Sequence, residues 1–136
     1  MDYCIPPCSA LQLAELFKQK LGLSRLRVVG NAGAEVQRVS FVLHITDGGP
    51  DVQQEVTRKI MQEHLDAVIP LECVEWTAAS YVRDAAQLGR NIVMLLPGHM
   101  AGEALGNRWA VTWLRRLTEG KVPVRFIQMD ELFQYI

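Results

Sequence analysis

The fold is decided by the stretch Asn91-Ile-Val-Met-Leu-Leu96-Pro97-Gly98-His99-Met-Ala-Gly-Glu103. Its first six residues are the most apolar segment of the chain, and a short apolar run bounded by turn residues is typical of a strand buried on both faces. Pro97-Gly98 is a turn signal. Apolar residues at helical spacing follow, which predicts a helix from about Ala101 to Thr118. A buried strand that leads directly into a long helix is the unit from which α/β domains are built.

The same alternation of strands and helices extends toward the N-terminus. Ser9 is a good N-cap for a helix that Gly22 would end, and Ala67-Val68-Ile69 is a second short apolar run. Further helices are predicted at about 51–64 and 77–89, and further strands at about 26–29, 36–45 and 122–127. This order predicts one α/β domain, over residues 9–136, with a mostly parallel or mixed sheet of about five strands and helices on both faces. Residues 1–8, which contain Pro6-Pro7, are predicted to be a flexible N-terminus.

Composition excludes several classes of function. The 136 residues include 14 Lys and Arg against 15 Asp and Glu, for a formal net charge of −1. Nucleic acid is therefore not an expected partner, because binding to a phosphate backbone requires a basic excess. No apolar stretch approaches the ~20 residues of a membrane span, and the first residues do not resemble a signal peptide. These features predict a cytoplasmic protein without a membrane partner.

The three cysteines are Cys4, Cys8 and Cys73. This odd, sparse set does not suggest a secreted disulfide framework. The spacing Cys4-x-x-x-Cys8 occurs at some zinc sites, but no second Cys or His pair follows at the distance of a zinc finger. Two reduced thiols near the N-terminus are the favoured interpretation.

Several polar residues are predicted to gather at one rim of the sheet. In open α/β sheets, ligands bind beyond the carboxyl ends of the strands, and three of the predicted loops lie there. The residues that these loops contribute are His44, Asp47, Glu72, Glu75, His99 and Glu103.

His99 and Glu103 are the candidate metal ligands of this rim. They are four residues apart across the predicted junction of strand and helix, so both side chains can face one point. A neutral imidazole with a carboxylate suits Zn²⁺, Mn²⁺ or Fe²⁺. The alternative is that no metal binds, because a Glu in the first turn of a helix is already favoured by capping and by the helix dipole.

Glu72 and Glu75 are the candidate catalytic residues. Paired carboxylates serve acid–base chemistry or bridge metal ions. The alternative is structural: Glu75 would help to cap the helix near Thr77, while Glu72 would be solvated or hydrogen-bonded.

Beyond these patterns, the sequence resembles the Nif-three-like dinuclear metal centre family, whose members are also known as type-two GTP cyclohydrolase homologues. The resemblance is to the C-terminal half of the family and extends over nearly the whole chain. The motifs that carry it are Glu72-Cys-Val-Glu75-Trp76-Thr77, Tyr81-Val82-Arg83-Asp84-Ala85, Leu88-Gly89-Arg90 and Gly98-His99-x-x-x-Glu103 with Gly106.

The resemblance implies a role for each matching residue. His99 and Glu103 would be two ligands of a dinuclear site, whose other ligands come from the N-terminal half of family members, which this chain lacks. Members form toroidal hexamers, which implies a homo-oligomer here. Two positions depart from the family pattern. Leu71 stands where Gly is common before the Glu, and Gly102 stands where Ser or Thr precedes the Glu of the metal motif.

Two main functions are consistent with these observations. One is a short Nif-three-like protein that binds a divalent metal ion and, if it is an enzyme, acts as a metal-dependent hydrolase. The other is a non-catalytic oligomeric or partner-binding module that has lost the dinuclear site, with Trp109, Trp113 and the tail Leu132 to Ile136 as contact surfaces. A separate partner chain could supply the missing half. A sensor that binds a small molecule at the same rim without metal is a third, weaker possibility.

Overall fold

The structure of the chain is a computed structural model that describes residues 1–45 and 50–133. The predicted rim residue Asp47, within residues 46–49, and the end of the apolar tail, residues 134–136, lie outside the described residues. The strands are β1 (Asp2–Ser9), β2 (Arg27–Gly30), β3 (Glu35–Ile45), β4 (Ala67–Cys73) and β5 (Val93–Leu96). The helices are α1 (Ala10–Leu21), α2 (Pro50–Gln62), α3 (Ala78–Gln87) and α4 (His99–Leu117). No helix within the described ranges is long and apolar enough to cross a membrane.

The strands of the described residues form one mixed sheet in the order β1-β3-β4-β5-β2. The three central strands β3, β4 and β5 are parallel, whereas β1 and β2 pair antiparallel at the two edges. This mixed α/β sheet confirms the predicted fold class.

Alternate residues of the central strands face two separate layers of helices. Val68 and Met94 are buried among residues of α2 and α3. Ile69 and Leu95 are buried on the opposite face, among residues of α1. This alternation follows from the two-residue period of a strand, and it explains why both apolar runs read as uninterrupted in the sequence.

Helix α1 begins and ends as predicted. The Ser9 side chain accepts a hydrogen bond from the Gln12 backbone N–H at 3.2 Å, and the Gln12 side chain accepts one from the Ser9 N–H at 2.8 Å. Gly22 follows the helix in the left-handed region, at φ 71°. These are local interactions, so the capping and stop signals are sufficient to place both ends.

The predicted flexible N-terminus at residues 1–8 is corrected by the structure, which places this segment in β1, paired with β3. The register shifts between Cys4 and Cys8, and the shift brackets Pro6-Pro7. Proline cannot donate to a sheet ladder, but it is tolerated at edge strands and bulges. Because β1 is an edge strand with an irregular register, the two prolines do not prevent pairing.

The strand predicted at residues 122–127 does not form, and this segment instead runs irregularly along α4. Pro123 removes one ladder donor from the segment. The Val124 carbonyl accepts hydrogen bonds from Nε and Nη2 of Arg115 at 3.1 and 2.8 Å, and Arg108 lies over the Phe126 ring at 5.4 Å. Side chains of α4 thus take the place of a neighbouring strand.

The apolar side of α4 is not buried. None of the helix residues is buried within the described structure. Its two tryptophans are exposed, with Trp109 at 68% and Trp113 at 43% relative exposure. Helix α4 contacts α1 and β4, but these contacts leave most of its apolar surface open.

Candidate metal and ligand site

The candidate site lies in a crevice between two loops that diverge at the carboxyl end of the sheet. After β4, the chain continues into α3, which packs with α2 on one face. After the neighbouring strand β5, it continues into α4, which contacts α1 on the other face. Ligands in open α/β sheets bind at such a point, where successive connections leave on opposite sides. The crevice therefore follows from topology.

His99, the first residue of α4, lies between two carboxylates in this crevice. Its Nδ1 is 3.2 Å from Oε2 of Glu72, which β4 contributes. Its Nε2 is 3.2 Å from Oε1 of Glu103, one turn further along α4. The three side chains are partly accessible, at 39%, 36% and 51% exposure for His99, Glu72 and Glu103. The structure thus brings together three of the four residues that the sequence singles out.

A single metal ion cannot be bound by His99 together with both glutamates. The two ring nitrogens Nδ1 and Nε2 point in different directions, and each faces a different carboxylate. One tetrahedral ion with bonds of ~2.0–2.1 Å holds its N and O ligands about 3.3 Å apart, close to the observed 3.2 Å between His99 and Glu103. The same distance also suits a direct contact between an imidazole and a carboxylate. In the described part of the chain, no group of three or more His, Cys, Asp and Glu side chains has the arrangement of a metal site. His99 and Glu103 therefore fit two positions of a coordination shell. The other described residues do not fill the remaining positions of that shell.

A cavity of about 240 Å³ adjoins the Glu72 side of His99. Its polar lining includes Arg25, Arg27 and Glu131 in addition to these two residues. Arg27 begins β2 and pairs with Leu96 at the end of β5, so the antiparallel edge strand delivers this arginine to the crevice. Its charge reaches Cys73 at the end of β4, where burial raises the pKa of the thiol and Arg27 partly opposes the increase.

The segment after α4 forms another wall of this cavity. Glu131 accepts hydrogen bonds from the N–H and the hydroxyl of Ser24, both at 2.6 Å. These bonds, together with the nearby charge of Arg25, lower the pKa of Glu131. Leu132 and Phe133 continue along the cavity. Ser24 and Glu131 are separated by 107 residues, and no motif in the sequence indicated that they meet.

Of the remaining rim residues, the structure describes Glu75 and the backbone of His44. Glu75 is exposed in the loop between β4 and α3, and its carbonyl accepts a hydrogen bond from Ser80. It is not among the described residues that line the cavity beside His99. The backbone of His44 pairs with Glu72 in the parallel ladder of β3 and β4. The Ala78 N–H, the first of α3, donates a hydrogen bond to Oε1 of the buried Gln53 from α2 at 3.2 Å. Gln53 thus has the capping role that the structural alternative gave to Glu75.

No protein-family model matches the sequence, and no curated protein matches it. Solved structures, in contrast, match almost the whole chain. The Staphylococcus aureus protein SA1388 matches with a TM-score of 0.66 and 17% identity, over 98% of this chain and 40% of that protein. A Bacillus cereus protein related to NIF3 matches with a TM-score of 0.70 and 20% identity, over 98% of this chain and 34% of that protein.

These matches define the class of the fold as a mixed α/β domain of the Nif-three-like type. At such identities the likeness concerns the fold alone. The chain spans 34% to 41% of the length of the matched proteins, in agreement with the prediction that it corresponds to one part of the Nif-three-like fold.

Proposed function

We propose that this chain binds one divalent metal ion, Zn²⁺, Mn²⁺ or Fe²⁺, through Nε2 of His99 and the carboxylate of Glu103. The observation that carries the proposal is the position of His99, whose two ring nitrogens each face a carboxylate at 3.2 Å. In protein metal sites, the ring nitrogen of a histidine that does not bind the metal usually donates its N–H to a carboxylate or carbonyl. Glu72 is positioned for that role, which leaves Nε2 and Glu103 as the ligand pair.

Further ligands are needed to complete this site. Structural zinc sites have four protein ligands and catalytic ones have three, whereas this pair provides two. We propose that another subunit, either a second copy in a homo-oligomer or a separate partner chain, provides further ligands. The matched proteins, of which this chain spans 41% at most, have additional chain that could play that part.

If the completed site is catalytic, the reaction is metal-dependent hydrolysis. The metal would supply a water molecule with a lowered pKa. Glu72 would hold the imidazole in the tautomer that binds metal, while Glu75, predicted as a base, would have to approach from the exposed loop after β4. GTP cyclohydrolase-like activity rests on the sequence resemblance alone and is the narrowest form of this proposal.

Elemental analysis of protein purified without chelator or nickel resin tests the metal proposal. We expect Zn, Mn or Fe at a near-stoichiometric level, and its loss in His99→Ala and Glu103→Gln. His64→Ala is the matched control, because His64 is exposed and follows α2 away from the crevice. Protein that contains no metal and takes up neither Zn²⁺ nor Mn²⁺ would refute the proposal.

The alternative function is a non-catalytic assembly module, and the exposure of α4 favours it. Leu105, Trp109, Trp113 and Leu117 follow one another at four-residue spacing, and each is at least 43% exposed. Exposed apolar stripes of this kind mark protein–protein contacts. Light scattering after size-exclusion chromatography should show an oligomer that Trp109→Glu dissociates, whereas Trp76→Glu, at an exposed tryptophan outside α4, should not.

A further inference from the structure

A second, larger concavity lies on the Glu103 side of the crevice. It has a volume of about 570 Å³, within the range of about 300–1,000 Å³ that is typical of sites for small molecules. The cavity on the Glu72 side, at about 240 Å³, is below that range. We call the larger one the aromatic groove. It lies between the sheet edge at β1 and β3, helix α1 and the first turns of α4.

One wall of the aromatic groove consists of aromatic rings from three separate elements. Phe41 of β3 packs edge-on against Tyr3 of β1, with ring centroids 5.8 Å apart and planes at 88°. Phe17 of α1 contacts the same ring at 6.2 Å and 63°. Mutual edge-to-face contacts hold the rings in place. This wall can therefore accept a further aromatic ring without first being ordered.

The opposite wall carries the polar groups of the groove. Glu103 and Asn107 are one turn apart on α4, and both line it. One oxygen of Glu103 contacts His99, but an ionised carboxylate has about four acceptor positions, so it can also accept from a ligand. A carboxylate beside an apolar wall complements a ligand with N–H donors and repels an anion.

Leu71 and Pro97 line both the aromatic groove and the smaller cavity. They form the partition between the two spaces, and the Leu71 side chain rests against Gly102. A ligand in the groove would therefore meet Glu103, while the partition separates it from Glu72 and Arg27.

From this arrangement we infer that the aromatic groove binds a planar aromatic group that bears an N–H donor, with the donor directed at Glu103 or Asn107. The inference deepens the proposed function by assigning a ligand class to the same site. Binding to the groove itself requires no metal, so the two proposals can fail independently.

Saturation-transfer NMR with indole tests the inference on chelator-treated protein. Indole is planar, neutral and has one N–H donor, and it has no lone pair suited to metal. We expect a dissociation constant on the order of 1 mM, as for a small fragment. 1-Methylindole, which keeps the ring but lacks the donor, should bind several-fold more weakly.

A groove-filling variant provides the structural control. Gly106 lines the groove, and a Cβ placed there meets no atom within 4 Å. Gly106→Leu should therefore fill the space without disturbing the fold, and it should weaken indole binding at least tenfold. Thr112→Leu, at an exposed position further along α4, should leave binding unchanged.

Three results would overturn the inference. One is the absence of indole binding to the wild-type protein at millimolar concentration. Another is equal binding to the Gly106→Leu variant. The third is an oligomer that Gly106→Leu dissociates, which would show that a second protein surface fills the groove. Metal analysis of the same samples reports separately on His99 and Glu103.

Discussion

A Cβ atom on residue 102 would lie 2.0 Å from Cδ2 of Leu71. In the sequence resemblance, Gly102 and Leu71 are the two positions that depart from the family pattern, and in the structure they share one space. The Leu71 side chain occupies the volume that a side chain at position 102 would need. The two residues are therefore sterically complementary, and the helix turn between His99 and Glu103 is intact.

This contact predicts an energetic coupling between positions 71 and 102. Gly102→Ala should force Leu71 out of its rotamer, at a cost of about 1–3 kcal/mol, which offsets the gain of ~0.5–1 kcal/mol for replacing glycine in a helix. In the Leu71→Ala background only the gain should remain. Urea unfolding of the four proteins should give a coupling of about 1–3 kcal/mol, because the helix gain cancels between the two backgrounds.

Gly106→Ala is the control for this cycle. It lies in the same helix but has open space around its Cβ position, so we expect it to stabilise the protein by ~0.5–1 kcal/mol. Additive effects at positions 71 and 102 would contradict the steric coupling.

Glu72 is predicted to act on metal affinity through the orientation of His99. Glu72→Gln removes the negative charge beside Nδ1, and loss of such an outer partner typically reduces metal affinity by about 10–100-fold. Competition with a chromophoric chelator measures the change. Glu75→Gln, in the exposed loop next to the same strand, should leave the affinity within about twofold of wild type. Equal effects of the two variants would mean that Glu72 does not position the imidazole.

Asp2 is predicted to make the stability of the protein dependent on acidic pH. Its pKa lies below the ordinary 3.8, first because the Ser40 hydroxyl donates to it and then because Lys59 does. Because the pKa of Asp2 is lower in the folded than in the unfolded state, the ionised carboxylate stabilises the fold at every pH above the pKa of the unfolded state. This contribution is lost as the pH falls through the pKa of the folded state.

The test is urea unfolding of Asp2→Asn and wild type between pH 7 and pH 2.5. Because the Asp2 side chain is 47% exposed, we expect a deficit of only ~0.5–1 kcal/mol at pH 7. The deficit should shrink as the pH falls below 3.8. A deficit that is constant over the whole range would show that the carboxylate charge plays no part.

The contact between Ser24 and Glu131 is predicted to hold the segment after α4 against the small cavity. Glu131→Gln removes the charge that Ser24 contacts at 2.6 Å through both its N–H and its hydroxyl. Hydrogen exchange of residues 124–133 should accelerate several-fold, while exchange in β5 stays the same. Glu119→Gln, at an exposed pair with Lys121, should have no such effect. Unchanged exchange in Glu131→Gln would mean that the segment is held by other contacts.

Much of the fold could be predicted because its signals are local. The capping box at Ser9, the left-handed Gly22 and the apolar runs in β4 and β5 are each encoded within a few residues of the element they place. The same holds for the turn at Pro97-Gly98, which leads from β5 into α4. Short-range hydrogen bonds and the burial period of a strand are sufficient for these assignments.

Where the predictions were wrong, partners distant in the chain decided the outcome. Pro6-Pro7 reads as a break in the sequence, yet β3 pairs with this segment because an edge strand tolerates an irregular register. Residues 122–127 read as a strand, yet Arg115 satisfies the Val124 carbonyl from α4. A propensity pattern contains no information about which partner is available.

The candidate site divides in the same way. By itself, the sequence determined strands β2 to β5 and the four-residue spacing by which His99 and Glu103 can face one point, because both depend on neighbours along the chain. Only the tertiary structure decided that Glu72 rather than Glu75 reaches His99, that Leu71 fills the space above Gly102, and that Arg27 and Glu131 line the adjoining cavity. These contacts depend on two loops that leave neighbouring strands toward opposite faces of the sheet. That divergence arises from helix packing over the whole domain and has no signature in any short stretch of residues.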